Sequence, residues 1–235
     1  MRGTTPEGVA GEQETARWVR GMFGRVAHRY DLANHLLSFH IDRYWRASTV
    51  RTVRRVLDRP GARALDLCCG TGDLLLALGP GAIGADFCHP MLVRALRKGA
   101  ARVVEADALR LPFPDASLDL VTTGFGFRNL ANYQAGLDEM RRVLRPGGMA
   151  AILEFSQPPN RVFAALYSFY SRRILPAIGG ALSGSRDAYT YLPESVRKFP
   201  APDELAAMMR AAGFAAVTWR RMTGGIVALH TGEAL

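Results

Sequence analysis

Residues 65–73 read Leu-Asp-Leu-Cys-Cys-Gly-Thr-Gly-Asp, an apolar run that passes through a Gly-x-Gly turn into a leucine-rich segment. This passage constrains the fold most, because it joins a strand to a helix through a turn in which Gly70 and Gly72 carry no side chain. There the backbone can bend sharply and a ligand can approach the main chain, as at a nucleotide site. What is missing narrows the ligand. A dinucleotide fingerprint needs a third glycine where this chain has Leu75, and a phosphate loop needs Gly-Lys-Ser/Thr. The common ligand that remains is an adenosyl group without phosphates, S-adenosylmethionine. A lone Gly-x-Gly is weak evidence, so the following segments must supply the context.

They do. Residues 82–86 read as a second strand ending in Asp86, 16 positions after Gly70, close to the ~20 expected of a carboxylate that accepts both ribose hydroxyls. The alternative for Asp86 is the N-cap of a helix starting near Pro90. A third strand, 101–106, leads into Asp107-Ala108, where the carboxylate can accept from the adenine amino group and the neighbouring amide can reach a ring nitrogen. Asp107 also suits a simple turn. Next come a strand at 118–123, a helix at 132–144, an Arg-Pro-Gly-Gly turn at 145–148 and a strand at 149–155. Strands alternating with helices over 62–155 predict a parallel sheet covered on both faces, with ligands at the carboxyl ends of its strands. A dinucleotide-binding dehydrogenase shares that topology but predicts the missing glycine. The rest reads as helices within 13–30 and 43–57, an irregular or helical insertion over 158–200, a helix at 202–212 and strands at 214–220 and 225–230.

The 235 residues, 49% of them hydrophobic, can bury a substantial core as one α/β domain. The expected organisation is a helical cover over 1–60, a cofactor core over 61–155, a substrate-side insertion over 156–200 and a closing helix and strands over 201–235. Met1–Gly11 lacks the apolar run of a secretory signal and no stretch approaches a membrane span, so a cytoplasmic protein is expected. Cys68, Cys69 and Cys88 form neither a disulfide framework nor a zinc-ligand spacing, and read as small buried residues with no metal site.

The net charge of +9 is unevenly distributed. Residues 61–154 and 201–235 are each neutral, whereas 1–60 carry +5 and 155–200 carry +4. A basic cover suits nucleic acid or an anionic membrane surface. The chain has two lysines beside 28 arginines and no nucleic-acid-binding motif, so nucleic acid is not expected. Over 161–175, Val162, Phe163, Leu166, Tyr167, Phe169, Tyr170, Ile174 and Leu175 fall largely at helical spacings among Arg161, Arg172 and Arg173. The stretch reads either as an amphipathic element touching a membrane, with Phe163, Tyr167 and Tyr170 near the acyl boundary, or as an ordinary helix packed on the sheet.

Three motif regions carry a resemblance to a known family. They are Tyr30-Asp31-Leu32-Ala33-Asn34 with Leu37-Ser38-Phe39 and Trp45, Gly124-Phe125-Gly126-Phe127-Arg128-Asn129, and Arg142–Gly148 running through Leu153-Glu154-Phe155-Ser156. Further matches are Tyr167–Tyr170, Leu175-Pro176, Ile178-Gly179, Asp187-Ala188-Tyr189, Tyr191-Leu192, Glu194-Ser195 and Gly225–His230. From about Val19 onward the chain resembles the ubiquinone/menaquinone biosynthesis C-methyltransferases. The resemblance implies a class I S-adenosylmethionine-dependent methyltransferase, Rossmann-like, with a mostly parallel seven-stranded sheet, N-terminal helices and a helical insertion before the last strands. It implies cofactor contacts at Thr71, Asp86, Asp107 and Ala108, to which Asp66, Gly70, Gly72 and Gly124 are added as candidates. The family commonly has His at position 42, Lys at 145 and Ser at 124, so Asp42 and Gly124 weaken any side-chain role there.

The implied reaction is C-methylation of a prenylated quinol, demethylmenaquinol to menaquinol before the others. The alternatives are the benzoquinol step of ubiquinone biosynthesis, another lipid-like acceptor, or a non-catalytic assembly subunit. A homo-oligomer or quinone-biosynthesis partners are compatible with it, as is peripheral attachment at the inner face of the cytoplasmic membrane. The acceptor must be reduced, because a hydroquinone that loses its phenolic proton pushes electron density onto the adjacent ring carbon. Arg128, just beyond the strand at 118–123, is the leading candidate to stabilise the phenolate. Tyr30, Tyr189 and His230 are candidate proton carriers, each with an ordinary packing role as its alternative.

Overall fold

The computed structural model describes residues 3–6, 8–31, 38–174 and 186–235, with side chains described except at 29, 172, 174 and 186–190. Leu32, Ala33, Asn34 and Leu37 of the first motif, and Leu175, Pro176, Ile178 and Gly179, lie outside the described residues.

Parallel pairing joins β1 (Ala64–Leu67), β2 (Ile83–Asp86), β3 (Val103–Glu105), β4 (Leu118–Gly124) and β5 (Leu144–Phe155). With β6 (Phe214–Met222) and β7 (Val227–Ala234), they form a seven-stranded sheet of order β3-β2-β1-β4-β5-β7-β6, β7 running antiparallel to both neighbours. The chain winds outward from β1 in one direction and from β4 in the other. Such a switch of direction opens a crevice at the carboxyl ends of the two strands, and the Gly-x-Gly turn lies there.

Every residue of β1 is buried, as required of a central strand covered on both faces. Alternation along β5 sorts the core into two layers. Ala150 and Ile152 pack toward α5 (Tyr133–Val143) and α8 (Pro202–Ala211), while Met149, Ala151 and Leu153 pack toward α2 (Ile41–Leu57), α3 (Asp73–Leu78) and α4 (His89–Arg97). Asn132 caps α5, its side-chain oxygen accepting the Ala135 N–H at 3.1 Å.

Two differences from expectation have local causes. The strand placed at 149–155 begins at Leu144, because Leu144 pairs with Leu118; the expected glycine turn survives inside it as an irregularity, with Gly147 at φ 74°. The last strand runs on to Ala234, since Glu233 pairs with Met149.

Over the carboxyl ends lie α1 (Glu12–Val26), the start of α2, α6 (Arg161–Phe169) leading into a π-helical turn (Tyr170–Ile174), and α7 (Arg186–Lys198). α1 buries Thr15, Val19, Met22 and Val26, a stripe at helical spacing. The N-terminal segment is tied down by the Thr4 N–H to Leu130 O bond (2.8 Å) and the Thr4 Oγ1 to Tyr191 Oη bond (2.7 Å). Among the described residues no helix is long and apolar enough to cross a membrane, and no cluster of His, Cys, Asp or Glu could hold a metal ion. Cys69 and Cys88 are buried, Cys68 half-buried, and all three are free thiols.

Candidate active site

The crevice holds two cavities that share a wall. The first, of about 950 Å³, is lined by Asp66, Gly70, Thr71, Asp86, Asp107, Ala108 and Gly124 among the candidate cofactor residues. Asp86 closes the base of the glycine turn: its Oδ2 accepts the Gly70 N–H at 2.9 Å and its Oδ1 accepts the Cys88 N–H at 2.8 Å. Burial pushes the Asp86 carboxyl above its ordinary value, and these N–H donors work against that rise. Asp86 does not cap α4, whose N-cap is Cys88, so the capping alternative fails. Asp107 does form its turn, accepting the Leu109 N–H at 2.9 Å, and also lines the cavity. Asp66, fully buried and bonded by the Thr122 hydroxyl at 2.8 Å, is raised by burial to about 7.

Gly72 departs from its expected role. It sits at φ 87° as the N-cap of α3, does not line the cavity, and would place a Cβ 3.1 Å from Ala95 Cβ, so its smallness serves the approach of α4 rather than of a ligand. Gly126, two residues beyond β4, is equally constrained: a Cβ there would fall 2.3 Å from Cys68 Cβ. The two turns after β1 and β4 therefore touch back to back. Cys68 (φ 54°) and Phe125 (φ 64°) both take the left-handed backbone that non-glycine residues rarely adopt.

A net of charges surrounds the Gly-x-Gly turn. Lys98 Nζ donates to Asp31 (3.1 Å), Thr71 Oγ1 (3.4 Å) and Asp73, and the Thr71 hydroxyl donates to Asp31. Arg46 bridges Asp42 and Asp73, the latter at 3.5 Å, and lies 5.5 Å from the Phe125 ring centroid. Asp42 is buried and also accepts the Ser38 hydroxyl at 2.8 Å.

The second cavity, of about 1520 Å³, is apolar and aromatic. Trp45, Phe125 and Phe155 form one wall, with Phe125 and Phe155 centroids 4.7 Å apart and the Trp45 indole N–H donating to Thr223 at 2.8 Å. Tyr167, Tyr170 and Tyr191 line it from the insertion. Burial pushes the Tyr167 hydroxyl up to about 12, so it stays protonated near neutrality. Phe23, Tyr30, Arg46 and Phe125 line both cavities.

Arg128 lines the second cavity from the short 3-10 turn after β4. Its guanidinium donates to Glu154 at 3.0 Å and to Phe125 O, and lies 5.2 Å from the Phe155 ring centroid. Burial, the largest single effect, pulls its pKa down, but the charge and hydrogen bond of Glu154 together with Tyr30 and Tyr191 hold it above the ordinary arginine value. Its Nε–H has no partner among the described residues.

The structure brings Arg128 and Tyr30 to the second cavity but not His230. His230 is buried on β7 beside Ile152, bonds Pro202 O through Nε2 at 2.9 Å, and lines neither cavity. Its place on the α8 side of the sheet removes it from the candidate proton carriers. Tyr189 lies on α7, its side chain outside the described residues. Sequence reasoning missed Arg46 and Tyr191 as site residues. Arg46 could have been found from its i, i+4 spacing to Asp42 on a predicted helix. Tyr191, which donates to Asn129 Oδ1 at 3.1 Å, is brought in only by the tertiary fold.

Comparison with known proteins agrees with this architecture. The model of the ubiE/COQ5 methyltransferase family matches residues 9–234. A Thermus thermophilus protein named demethylmenaquinone methyltransferase is 51% identical over 222 residues, covering 90% of this chain and 99% of its own. One of the same name from Deinococcus radiodurans is 45% identical, with 96% of each chain covered. A Thermotoga maritima structure described as a SAM-dependent methyltransferase, possible histamine N-methyltransferase, superposes with a TM-score of 0.69 at 18% identity, covering 92% of this chain and 100% of that one. At that identity the likeness shows the fold.

Proposed function

The chain belongs to the ubiE/COQ5 methyltransferase family, and from that membership we propose that it transfers a methyl group from S-adenosylmethionine to a ring carbon of a prenylated quinol, demethylmenaquinol before the others. The observation that carries the reading is the wall of Phe23, Tyr30, Arg46 and Phe125 common to a carboxylate-lined and an aromatic cavity. Reactants held on either side of it are confined to one line of approach. The names of the relatives favour a naphthoquinol acceptor over a benzoquinol.

The residues of the first cavity fit this cofactor. Among the described residues, Asp66, Asp73, Asp86 and Asp107 line it with Arg46 as the single cation, a set of carboxylates that repels a pyrophosphate and attracts a sulfonium and an ammonium. Asp86 would hold the ribose hydroxyls and Asp107 with Ala108 the adenine, while Asp66, Thr71 and Gly124 bound the remainder. When bound, S-adenosylmethionine supplies an electrophilic methyl group.

The chain's own residues do the rest. Trp45, Phe125 and Phe155 exclude water from the aromatic cavity and give a flat quinol ring a stacking surface. Arg128, held by Glu154, offers the unpaired Nε–H and a fixed cation to the phenolate that forms as the ring becomes nucleophilic. With a pKa held high it acts by electrostatics or by orienting a water rather than as a base, and Tyr30, which lines both cavities, is the proton carrier. The acceptor's tail dissolves in lipid, so the protein works in the cytoplasm against the inner face of the cytoplasmic membrane.

The test incubates purified protein with methyl-labelled S-adenosylmethionine and short-tailed demethylated naphthoquinols and benzoquinols, followed by mass analysis. Label on a naphthoquinol ring carbon is expected. Label only on the benzoquinol or another acceptor would overturn the acceptor assignment, and cofactor binding without transfer would favour an assembly subunit.

A further inference from the structure

α6 is apolar on two adjacent stripes, which the fold treats differently. Phe163, Tyr167 and Tyr170, spaced i, i+4, i+7, turn inward: Phe163 lies against Gly224, and both tyrosines line the aromatic cavity. The next stripe, Val162, Leu166 and Phe169, points out, with exposures of 72%, 64% and 62%. None of the residues of α6 is fully buried. The stripe expected to meet a membrane is thus rotated by one residue, because the cavity claims the positions that the sequence pattern had given to the surface.

A second exposed apolar group adjoins it. Phe39 is 71% exposed, its ring centroid 6.2 Å from that of Tyr170, and Ile41 and Tyr44 are exposed on the first turn of α2. Phe39 and Ile41 also line the aromatic cavity. Residues both exposed and lining mark the rim of a mouth, so the cavity opens within the apolar face.

The two segments that carry this face are basic. Residues 38–57 and 155–174 hold eight arginines against one acid, Asp42, which is buried and paired with Arg46. Arg43, Arg51, Arg161 and Arg173 are exposed. Aliphatic and aromatic side chains surrounded by arginine are the pattern of an element that lies in the headgroup region of an anionic bilayer.

We infer that Phe39, Ile41 and Tyr44 together with Val162, Leu166 and Phe169 form a docking surface for an anionic lipid bilayer, through which the aromatic cavity opens directly onto the acyl region. The inference rests on the prenylated-quinol reading and names the partner of that site. A tail can then stay in lipid while the ring enters the cavity.

The experiment measures co-sedimentation with vesicles of phosphatidylglycerol and phosphatidylcholine, and of phosphatidylcholine alone, for the wild type and two variants. One variant carries Val162→Ser, Leu166→Ser and Phe169→Ser, none of which lines either cavity; the other carries Arg161→Gln and Arg173→Gln. The wild type should bind the anionic vesicles and release as salt rises. The serine variant should bind at least about tenfold more weakly, since fully burying even one large apolar side chain is worth a factor of that size. The glutamine variant should lose most of the difference between anionic and neutral vesicles. Both variants should methylate a short-tailed soluble quinol at the wild-type rate. Absence of wild-type binding, or unchanged binding by the serine variant, overturns the inference. So does a wild-type dimer that the serine variant dissolves while neither binds vesicles, which would make the face a contact between copies. If the wild type binds vesicles as expected but methylates no short-tailed quinol, the acceptor assignment falls and the docking surface stands.

Discussion

At the scale of single residues, Asp86 and Arg128 do different work and should fail differently. Asp86 already accepts two backbone N–H groups, so its removal would loosen the glycine turn as well as the proposed ribose contact. Asp86→Asn keeps the shape but loses the charge and one acceptor. It should weaken S-adenosylmethionine binding by more than about tenfold, as expected for hydrogen bonds to a charged group, which calorimetry on the folded variant would measure; unchanged affinity would remove Asp86 from the cofactor site. Arg128 belongs to a buried pair with Glu154, and removing one partner of such a pair costs about 3–5 kcal/mol. Arg128→Ala would therefore confuse stability with catalysis, and Arg128→Lys is the sharper probe. It should lower kcat by at least about tenfold, because a point charge cannot reproduce the planar fork, while the cofactor Kd stays nearly constant. Loss of cofactor affinity in step with kcat would move Arg128 to the other cavity.

At the scale of elements, the site depends on two turns pressed together. Gly126→Ala should destabilise the protein by at least about 1–3 kcal/mol in urea unfolding, because its Cβ would fall 2.3 Å from Cys68 Cβ. Cofactor affinity should drop as well, since the displaced backbone lines the first cavity; a variant with wild-type stability and affinity would show that the turns can part. These turns also mark the limit of what could be read in advance. The strand-turn-helix passage at Leu65–Asp73 and the acid ending β2 were legible because periodicity and glycine spacing are local signals, and they located the first cavity of the crevice. Gly72 makes its expected bend but packs against Ala95, and a glycine that admits a ligand and one that admits a helix look alike without that partner. Arg46 and Tyr191 reach the site from α2 and α7, elements far from β1 in sequence. His230 takes the packing role that was its alternative, because strand alternation cannot say which face holds the ligand until the neighbouring helices are known.

At the scale of the whole molecule, a neutral sheet carries basic covers, and its stability should depend on acid. Burial lowers the His230 pKa from 6.5 to about 4, with the Pro202 carbonyl and Asp203 opposing the fall. The unfolded chain then binds more protons than the native one between these values. Stability contributed by neutral His230 is complete above pH 6.5 and is lost as pH falls toward about 4, a difference worth about 3 kcal/mol. His230→Gln, whose amide can still donate to Pro202 O, should flatten the pH dependence of the unfolding free energy across that window. It should leave kcat little changed, because His230 lines neither cavity; a collapse of kcat with stability intact would return His230 to the chemistry.

The proposed reaction path runs through both cavities across their common wall. It is tested most directly by a crystal structure of the protein with S-adenosylhomocysteine and a short-tailed demethylated naphthoquinol. The account predicts the adenosyl group between Asp86 and Asp107, the quinol ring against Trp45, Phe125 and Phe155 with a hydroxyl toward Arg128, and the sulfur facing the ring carbon beside Tyr30, near enough for one methyl group to bridge them. A quinol bound outside the aromatic cavity, or a sulfur directed away from the shared wall, would contradict it.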